Sequence, residues 1–144
     1  MRLLVIHGPN LNLLGEREPE VYGTQTLDQI NRRIADEAKL LSIEVRCIQS
    51  NSEGAIIDAL HDARADYDGV IINPGAYSHY SLAIADAVRS IPLPVVEVHL
   101  SNIAARDLVR RVSVVAAACR GSVAGFGADS YLLALRSFVK SPEK

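Results

Sequence analysis

Short apolar runs alternate along this chain with longer segments in which apolar residues recur every three or four positions. The apolar runs predict five strands: Arg2–His7, Ile43–Gln49, Gly69–Asn73, Val95–Leu100 and a last one around Ser122–Gly125. The periodic segments predict helices: one that begins after Thr26, one after Ser52, then Ser81–Ser90, a short stretch at Asn102–Val109 and a last helix at Ala128–Phe138. Strands that alternate with helices are typical of a parallel sheet covered by helices on both faces.

The pattern therefore predicts an α/β fold, a flavodoxin-like three-layer sandwich with a five-stranded parallel sheet. The 144 residues, of which 49% are hydrophobic, suit a single domain over 1–144 with a substantial core. The net charge of −2 and the scattered basic residues favour neither nucleic acid nor an anionic membrane as a partner. Cys47 and Cys119 lie far apart without a partner motif, which indicates reduced thiols in a cytoplasmic protein.

The segment after the first predicted strand, residues 8–23, lacks regular periodicity and carries Asn10, Arg17 and Tyr22. A loop of this length in a compact domain is usually a functional lid or a disordered segment. We expect an active-site lid at about residues 15–24. An arginine next to a tyrosine can stabilise the phenolate form, which would make Tyr22 a base. The alternative is an ordinary surface loop with a solvated arginine and a tyrosine that serves as a packing anchor.

Polar residues follow the other predicted strands where each strand ends. Asn73 ends the third strand and leads into a loop with His79, while Glu97 and His99 lie at the end of the fourth. The carboxyl ends of parallel strands meet at one edge of the sheet, where ligands bind in such folds. We therefore expect these groups to form one site.

Glu97 and His99 are two positions apart on a strand, so both side chains leave the same face of the sheet. A carboxylate behind an imidazole orients the ring and favours its protonated form, which would make His99 a proton donor. The alternative is a solvated strand end where His99 caps a carbonyl. His7, at the end of the first strand, is interpreted as a histidine with satisfied hydrogen bonds.

Several common site motifs are absent from the sequence. There is no Walker A motif, no G-x-G-x-x-G, no Gly-x-Ser-x-Gly elbow and no metal-ligand spacing among the histidines and cysteines. The residues that remain favour proton transfer by tyrosine and histidine, assisted by arginine and asparagine. We expect no metal and no organic cofactor.

Four motifs together closely resemble those of the type II 3-dehydroquinate dehydratases. They are G-P-N-L-N-L-L-G-x-R-E-P-x-V-Y-G from Gly8, Q-S-N-S-E-G from Gln49, N-P-G-A-Y-S-H-Y-S from Asn73 with Asp86 downstream, and V-E-V-H-L-S-N-I from Val96. They occur in the family's order and spacing across about residues 2–139.

The resemblance implies an anti elimination of water from 3-dehydroquinate through an enolate, which yields 3-dehydroshikimate in the shikimate pathway of aromatic biosynthesis. Tyr22 would take the C2 proton, Arg17 would hold it as phenolate, and Asn10 would help to place a water on the enolate oxygen. His99, with Glu97 behind it, would protonate the departing C1 hydroxyl.

The same resemblance implies the remaining binding groups and the assembly. Leu100 and Ser101 would hold the substrate carboxylate, and Asn73, His79 and Arg110 would bind ring hydroxyls. Asp86 would reach the site of a neighbouring subunit, since the family assembles as dodecamers of trimers.

The chain departs from the family pattern at Ala104 and Val112, where histidine is common, and at Asp129-Ser130. These departures concern subunit packing and the support of Arg110 more than the reaction. Two alternatives stay open: a quinate-catabolic or weakened paralogue of the same family, and a non-catalytic flavodoxin-like binding module.

Overall fold

A computed structural model describes residues 1–139 and contains a five-stranded parallel sheet with the strand order β2-β1-β3-β4-β5. The strands are β1 (Arg2–His7), β2 (Glu44–Gln49), β3 (Gly69–Asn73), β4 (Val95–His99) and β5 (Gly121–Ala124). The helices are α1 (Pro19–Tyr22), α2 (Leu27–Leu40), α3 (Glu53–Asp66), α4 (Leu82–Ser90) and α5 (Asp129–Arg136). This strand order is that of flavodoxin-like folds, and the predicted fold class is confirmed.

Alternate residues of the strands pack against two separate helical layers. Leu3 and Val5 belong to a core shared with α2 and α5, whereas Leu4 and Ile6 belong to a second core shared with α3 and α4. The sheet is therefore the middle layer of three, as its nearly continuous apolar strands predicted.

Side chains that precede the helices define where three of them begin. Thr26 and Gln29 form a reciprocal capping box at the start of α2. Ser52 accepts a hydrogen bond from the Ala55 amide before α3, and Ser81 accepts one from the Ile84 amide before α4. The caps predicted at Thr26 and Ser52 are thus present.

The helix predicted over Asn102–Val109 is wrong. Two short 3-10 turns, Ile103–Ala105 and Leu108–Arg110, occupy this segment, and extended backbone at Arg106 and Asp107 separates them. Leu108 and Val109 are 78% and 70% exposed, so a helix here would have no apolar face to bury. Short helices depend on such burial, because propensity alone does not stabilise them in water.

The register of the strands brings their polar ends to one edge of the sheet. His7 lies beside Asn73 on one side and beside Gln49 on the other, and His99 lies beside Ala124. Gly8 continues this edge, because its amide donates a 2.7 Å hydrogen bond to the Asn73 carbonyl. A Cβ atom at Gly8 would lie 2.7 Å from that same oxygen and 2.8 Å from the Pro74 carbonyl carbon. Only glycine allows this approach of the two chain segments.

We therefore expect Gly8→Ala to lower the free energy of unfolding by about 1–3 kcal/mol, since the neighbouring backbone must shift. Urea unfolding of the variant and the wild type measures this. Gly121→Ala is the matched control, because nothing lies within 4 Å of its Cβ position. Equal loss of stability in both variants would contradict the argument from close approach.

Candidate active site

A cavity of about 130 Å³ lies at the carboxyl edge of the sheet, under the segment predicted to be a lid. The residues that line it come from the ends of β1, β3 and β4 and from three loops. Nine of the predicted site residues are among them: Asn10, Arg17, Tyr22, Asn73, His79, His99, Leu100, Ser101 and Arg110.

Within residues 8–23 the chain forms short turns instead of one irregular loop. A 3-10 turn, Leu11–Leu13, precedes the one-turn helix α1, and Leu11 and Leu14 are buried in the core. Asn10, Gly15 and Gly23 have positive φ angles of 67°, 90° and 84°, which allow the chain to reverse direction. Anchored in this way, the segment directs Arg17 and Tyr22 into the cavity.

Two guanidinium groups converge on the hydroxyl of Tyr22. Arg17 Nη2 donates a hydrogen bond to it at 3.3 Å, and Arg106 Nη1 donates one at 2.9 Å. The guanidinium carbons lie 4.4 Å and 5.3 Å from the centre of the tyrosine ring. A negative charge on this oxygen would therefore be stabilised from two sides. The sequence-based alternative of a solvated Arg17 does not fit this geometry.

His99 and Glu97 leave the same face of β4, and both are buried. His99 Nε2 lies 3.4 Å from Glu97 Oε2, and Glu97 is completely inaccessible to solvent. The Ser113 hydroxyl donates a 2.8 Å hydrogen bond to the other carboxylate oxygen, and its own oxygen accepts the Ala116 amide. The alternative of a solvated strand end is wrong.

His79 and Arg110 also line the cavity, on two 3-10 turns that contact each other. His79 Nδ1 donates a 2.8 Å hydrogen bond to the Val112 carbonyl, which leaves Nε2 available for a ligand. Arg110 forms a 3.5 Å ion pair with Asp107. Val112, one of the departures from the family pattern, thus supports His79 through its backbone.

Two predicted residues do not line the cavity. Glu97 lies behind His99, with Oε2 3.4 Å from His99 Nε2, and its predicted role stays a prediction. Asp86 lies on α4, where it is exposed and forms a 3.5 Å ion pair with Arg89. The contribution of Asp86 to a neighbouring subunit stays a prediction.

Arg106 is the site residue that sequence reasoning missed. The segment that carries it was predicted as a helix, and its contact with Tyr22 joins residues 84 positions apart. The one available signal was the position of a cation shortly after the end of β4. Arg110 shares this position, so the signal does not distinguish Arg106 from it.

The cavity wall has a strongly basic character. Three arginines and two histidines line it, and none of its lining residues within the described part of the chain is acidic. This composition suits a small anionic molecule that carries several oxygens.

Among residues 1–139, no three His, Cys, Asp or Glu side chains are arranged to hold a metal ion. No helix in that range has the length and apolar character needed to cross a membrane.

The departures at Asp129 and Ser130 each make a specific contact. Ser130 is buried, and its hydroxyl oxygen accepts a 3.0 Å hydrogen bond from the Phe126 amide, while Asp129 pairs with Arg33.

Both cysteines are free. Burial raises the pKa of the Cys47 thiol to about 11, and burial with the charge of Glu97 raises the pKa of Cys119 to about 12.

The fold and the cavity define a class of protein: a flavodoxin-like α/β domain with a tyrosine, two histidines and three arginines around one small cavity at the carboxyl edge of its sheet. Comparison with known proteins agrees. Residues 1–139 match the family described as dehydroquinase class II. The chain belongs to this family.

Relatives and solved structures resemble the chain over nearly its whole length. It is 57% identical to a 3-dehydroquinate dehydratase of Caldanaerobacter subterraneus, over 93% of this chain and 90% of the relative. It is 51% identical to that of Geotalea daltonii over the full length of both. The crystal structure of a type II dehydroquinase from Butyrivibrio crossotus has a TM-score of 0.93 at 45% identity, with 95% of this chain and 96% of that one covered.

The buried His7 generates a prediction about stability and pH. Burial lowers the pKa of His7 to about 4, although its hydrogen bond with Asn31 acts in the opposite direction. The unfolded chain binds a proton here near ~6.5, so between the two values it holds more protons than the native state. The free energy of unfolding should fall by on the order of 3 kcal/mol as the pH drops through that window.

Urea unfolding of the wild type and of His7→Gln, at about pH 7 and about pH 4.5, isolates this effect because all other groups are shared. We expect a flatter pH dependence in the variant. If the free energies of unfolding of the two proteins differ by the same amount at both pH values, His7 takes up no proton in this range.

Proposed function

We propose that this chain dehydrates 3-dehydroquinate to 3-dehydroshikimate, with Tyr22 as the base and His99 as the acid. The observation that carries the proposal is the convergence of two guanidinium groups on the Tyr22 hydroxyl, in the same cavity as the buried His99–Glu97 pair. It is supported by the family and by relatives named 3-dehydroquinate dehydratase.

In the first step the Tyr22 phenolate removes a proton from C2 of the substrate, and the electron pair moves to the C3 carbonyl oxygen. Arg17 and Arg106 stabilise the phenolate before the transfer. Asn10, at the cavity wall, helps to place a water that donates to the enolate oxygen. A phenolate is a stronger base than a carboxylate or an imidazole, which suits the weak acidity of a proton next to a ketone.

In the second step the enolate re-forms the carbonyl, a C1–C2 double bond is made, and the C1 hydroxyl leaves. His99 gives this group its proton, so the leaving group is water. Glu97 offsets the positive charge of the imidazolium before the transfer, and Ser113 keeps the carboxylate in place. The proton on Tyr22 returns to His99 through solvent before the next turnover.

The substrate carboxylate binds the backbone of Leu100 and Ser101 and the Ser101 hydroxyl, and ring hydroxyls bind Asn73, His79 and Arg110. The basic wall of the cavity supports this orientation, since all these groups can donate hydrogen bonds to oxygen.

The chemistry requires no metal or organic cofactor. Cytoplasmic location belongs to the same proposal, because two free thiols are typical of a reducing compartment.

The chain functions as a homo-oligomer, a dodecamer built from trimers, in which Asp86 reaches the adjoining subunit's site. An exposed apolar patch next to the cavity supports this assembly, because such patches mark interfaces. The members of this rim patch are between 63% and 78% exposed: Tyr80, Leu82, Leu108, Val109 and Val112. Asp86 lies one helical turn after Leu82 on α4, at the border of the patch.

Tyr22→Phe should lower kcat by about 10²- to 10⁴-fold with little change in KM, because it deletes the base and leaves the binding groups. Arg17→Ala should also lower kcat, and its activity should recover partly at alkaline pH as more phenolate forms. Steady-state kinetics with 3-dehydroquinate measure both effects.

The controls are Tyr67→Phe and Arg64→Ala, which make the same changes on and just after α3, away from the cavity. Both should retain wild-type kinetics. Turnover near the wild-type value in Tyr22→Phe at neutral pH would mean that another group is the base.

Asp86→Ala should weaken the assembly or the activity, whereas Arg89→Ala should change both much less. An exposed pair of this kind contributes only a few tenths of a kcal/mol within one chain. A carboxylate buried between subunits contributes more, because its loss leaves a partner charge unpaired. Analytical ultracentrifugation and the kinetic assay test both parts. A fully active wild-type monomer, or unchanged mass and activity in Asp86→Ala, would refute the role across subunits.

A further inference from the structure

A buried row of hydrogen bonds runs from the cavity wall into the core and ends on α2. The Gly75 amide donates to Asn73 Oδ1 at 3.1 Å, and Asn73 Nδ2 lies 3.1 Å from the Tyr131 hydroxyl. That hydroxyl lies 2.8 Å from His7 Nδ1, and His7 Nε2 lies 2.7 Å from Asn31 Oδ1. His7 and Tyr131 are almost completely inaccessible to solvent, and none of the catalytic steps above uses them. We call these five residues the buried row.

One end of the buried row determines the direction of every hydrogen bond in it. The backbone amide of Gly75 can only donate, so the side-chain atom of Asn73 that faces it must be the oxygen. The other amide atom is then the nitrogen, which donates to the oxygen of Tyr131. The amide of Asn73 cannot flip without placing two donors against each other.

The same logic continues through Tyr131 to His7. The Tyr131 hydroxyl is buried, so its hydrogen needs an acceptor, and within residues 1–139 its hydrogen-bond partners are the Asn73 nitrogen, which donates to it, and His7 Nδ1. The hydrogen therefore points at His7 Nδ1, which must be unprotonated. The proton of the neutral ring is then on Nε2, where Asn31 Oδ1 accepts it. Burial raises the pKa of Tyr131 and lowers that of His7, so both groups keep these protonation states at neutral pH.

The consequence for the cavity concerns the second hydrogen of Asn73 Nδ2. The first hydrogen of this nitrogen is donated to Tyr131, and the amide oxygen accepts from Gly75. Within residues 1–139 the second hydrogen has no acceptor, and Asn73 is part of the cavity wall. The nitrogen of Asn73 therefore offers a ligand one hydrogen-bond donor, and the buried row keeps this nitrogen, not the oxygen, on the Tyr131 side of the amide.

We propose that His7 and Tyr131 are positioning residues, which act through Asn73 to hold one N–H donor toward a substrate oxygen. This inference rests on the proposed function, because the substrate oxygen in question is a ring hydroxyl of 3-dehydroquinate. With the amide fixed, the free N–H of Asn73 Nδ2 can only donate, so a ring hydroxyl that meets this nitrogen accepts there and donates its own hydrogen elsewhere. The interaction is made equally in the ground state and the transition state, so it acts on substrate binding.

Kinetics of three variants test this role. Tyr131→Phe removes the hydroxyl and keeps the ring, and His7→Leu removes the acceptor for that hydroxyl. Each should raise KM by about three- to tenfold, the effect of one hydrogen bond, with kcat within about twofold of the wild type. His7→Gln retains a side-chain oxygen that can accept from Tyr131, and it should restore most of the wild-type KM. His61→Leu makes the matched change on α3, away from the cavity, and should have no effect.

A double variant separates positioning from a general effect on the core. In an Asn73→Ala background, Tyr131→Phe should change KM by less than about twofold, because the group it positions is gone. If the single variants leave KM unchanged, or if the full effect of Tyr131→Phe persists without Asn73, the positioning role is wrong. If Tyr131→Phe merely destabilises the core, the unfolding midpoint falls, but the effect on KM is the same with and without Asn73. That result would also contradict the positioning role.

Neutron diffraction from deuterium-exchanged crystals of the wild type tests the row without any turnover. We expect deuterium on His7 Nε2 and none on Nδ1, with the Tyr131 deuterium directed at His7. Deuterium on Nδ1, or a Tyr131 hydroxyl directed at Asn73, would overturn the inference even if all variants fold poorly. Absence of dehydratase activity in the wild type would instead overturn the proposed function, and the neutron result would still decide the polarity of the row.

Discussion

The site depends on the contact of one phenol with two guanidinium groups. Two cations that approach the same oxygen repel each other. A neutral hydroxyl offers little compensation for this repulsion, whereas a phenolate would compensate both charges. Arg17 and Arg106 are therefore placed to stabilise a negative charge on the Tyr22 oxygen, and they join the lid segment to the loop after β4.

The rest of the fold serves to bring these groups together. The parallel sheet aligns the ends of β1, β3 and β4, which supply Asn73 and His99 to one cavity. Leu11 and Leu14, which precede the lid segment, anchor it in the core beside α2. The proposed base thus comes from a segment above the sheet edge and the proposed acid from the edge itself. This separation suits an elimination in which the proton and the leaving group depart from different faces of the ring.

Local patterns in the sequence were sufficient for the strands, most helices and the pairing of Glu97 with His99. Each of these depends on the spacing of side chains along a strand or a helix, which repeats every two or every 3.6 residues and can be read from the sequence. Contacts between distant segments leave no such trace. Arg106 meets Tyr22 across 84 positions and His7 meets Tyr131 across 124, so neither pair could be predicted from spacing. The short turns at Asn102–Val109 were mistaken for a helix because the sequence does not reveal that Leu108 and Val109 lack a partner within the chain.

The family resemblance carried information that periodicity did not, since it assigned Arg17, Tyr22 and His79 to one site before their positions were known. The departures at Val112 and Ser130 have local roles, a carbonyl for His79 and a hydroxyl for the Phe126 amide. Neither role removes a group from the cavity. The cavity therefore retains nine of the residues that the family resemblance assigned to the reaction and to substrate binding, and a purely binding module would not need this combination.

The most direct test of this account is a dehydration assay with the purified wild-type protein and 3-dehydroquinate in the presence of EDTA. The conjugated enone of the product absorbs in the ultraviolet, so its formation can be followed continuously. The account predicts steady turnover that the chelator does not reduce. A correctly folded protein that forms no enone, or that does so only after a divalent ion is added back, would contradict it.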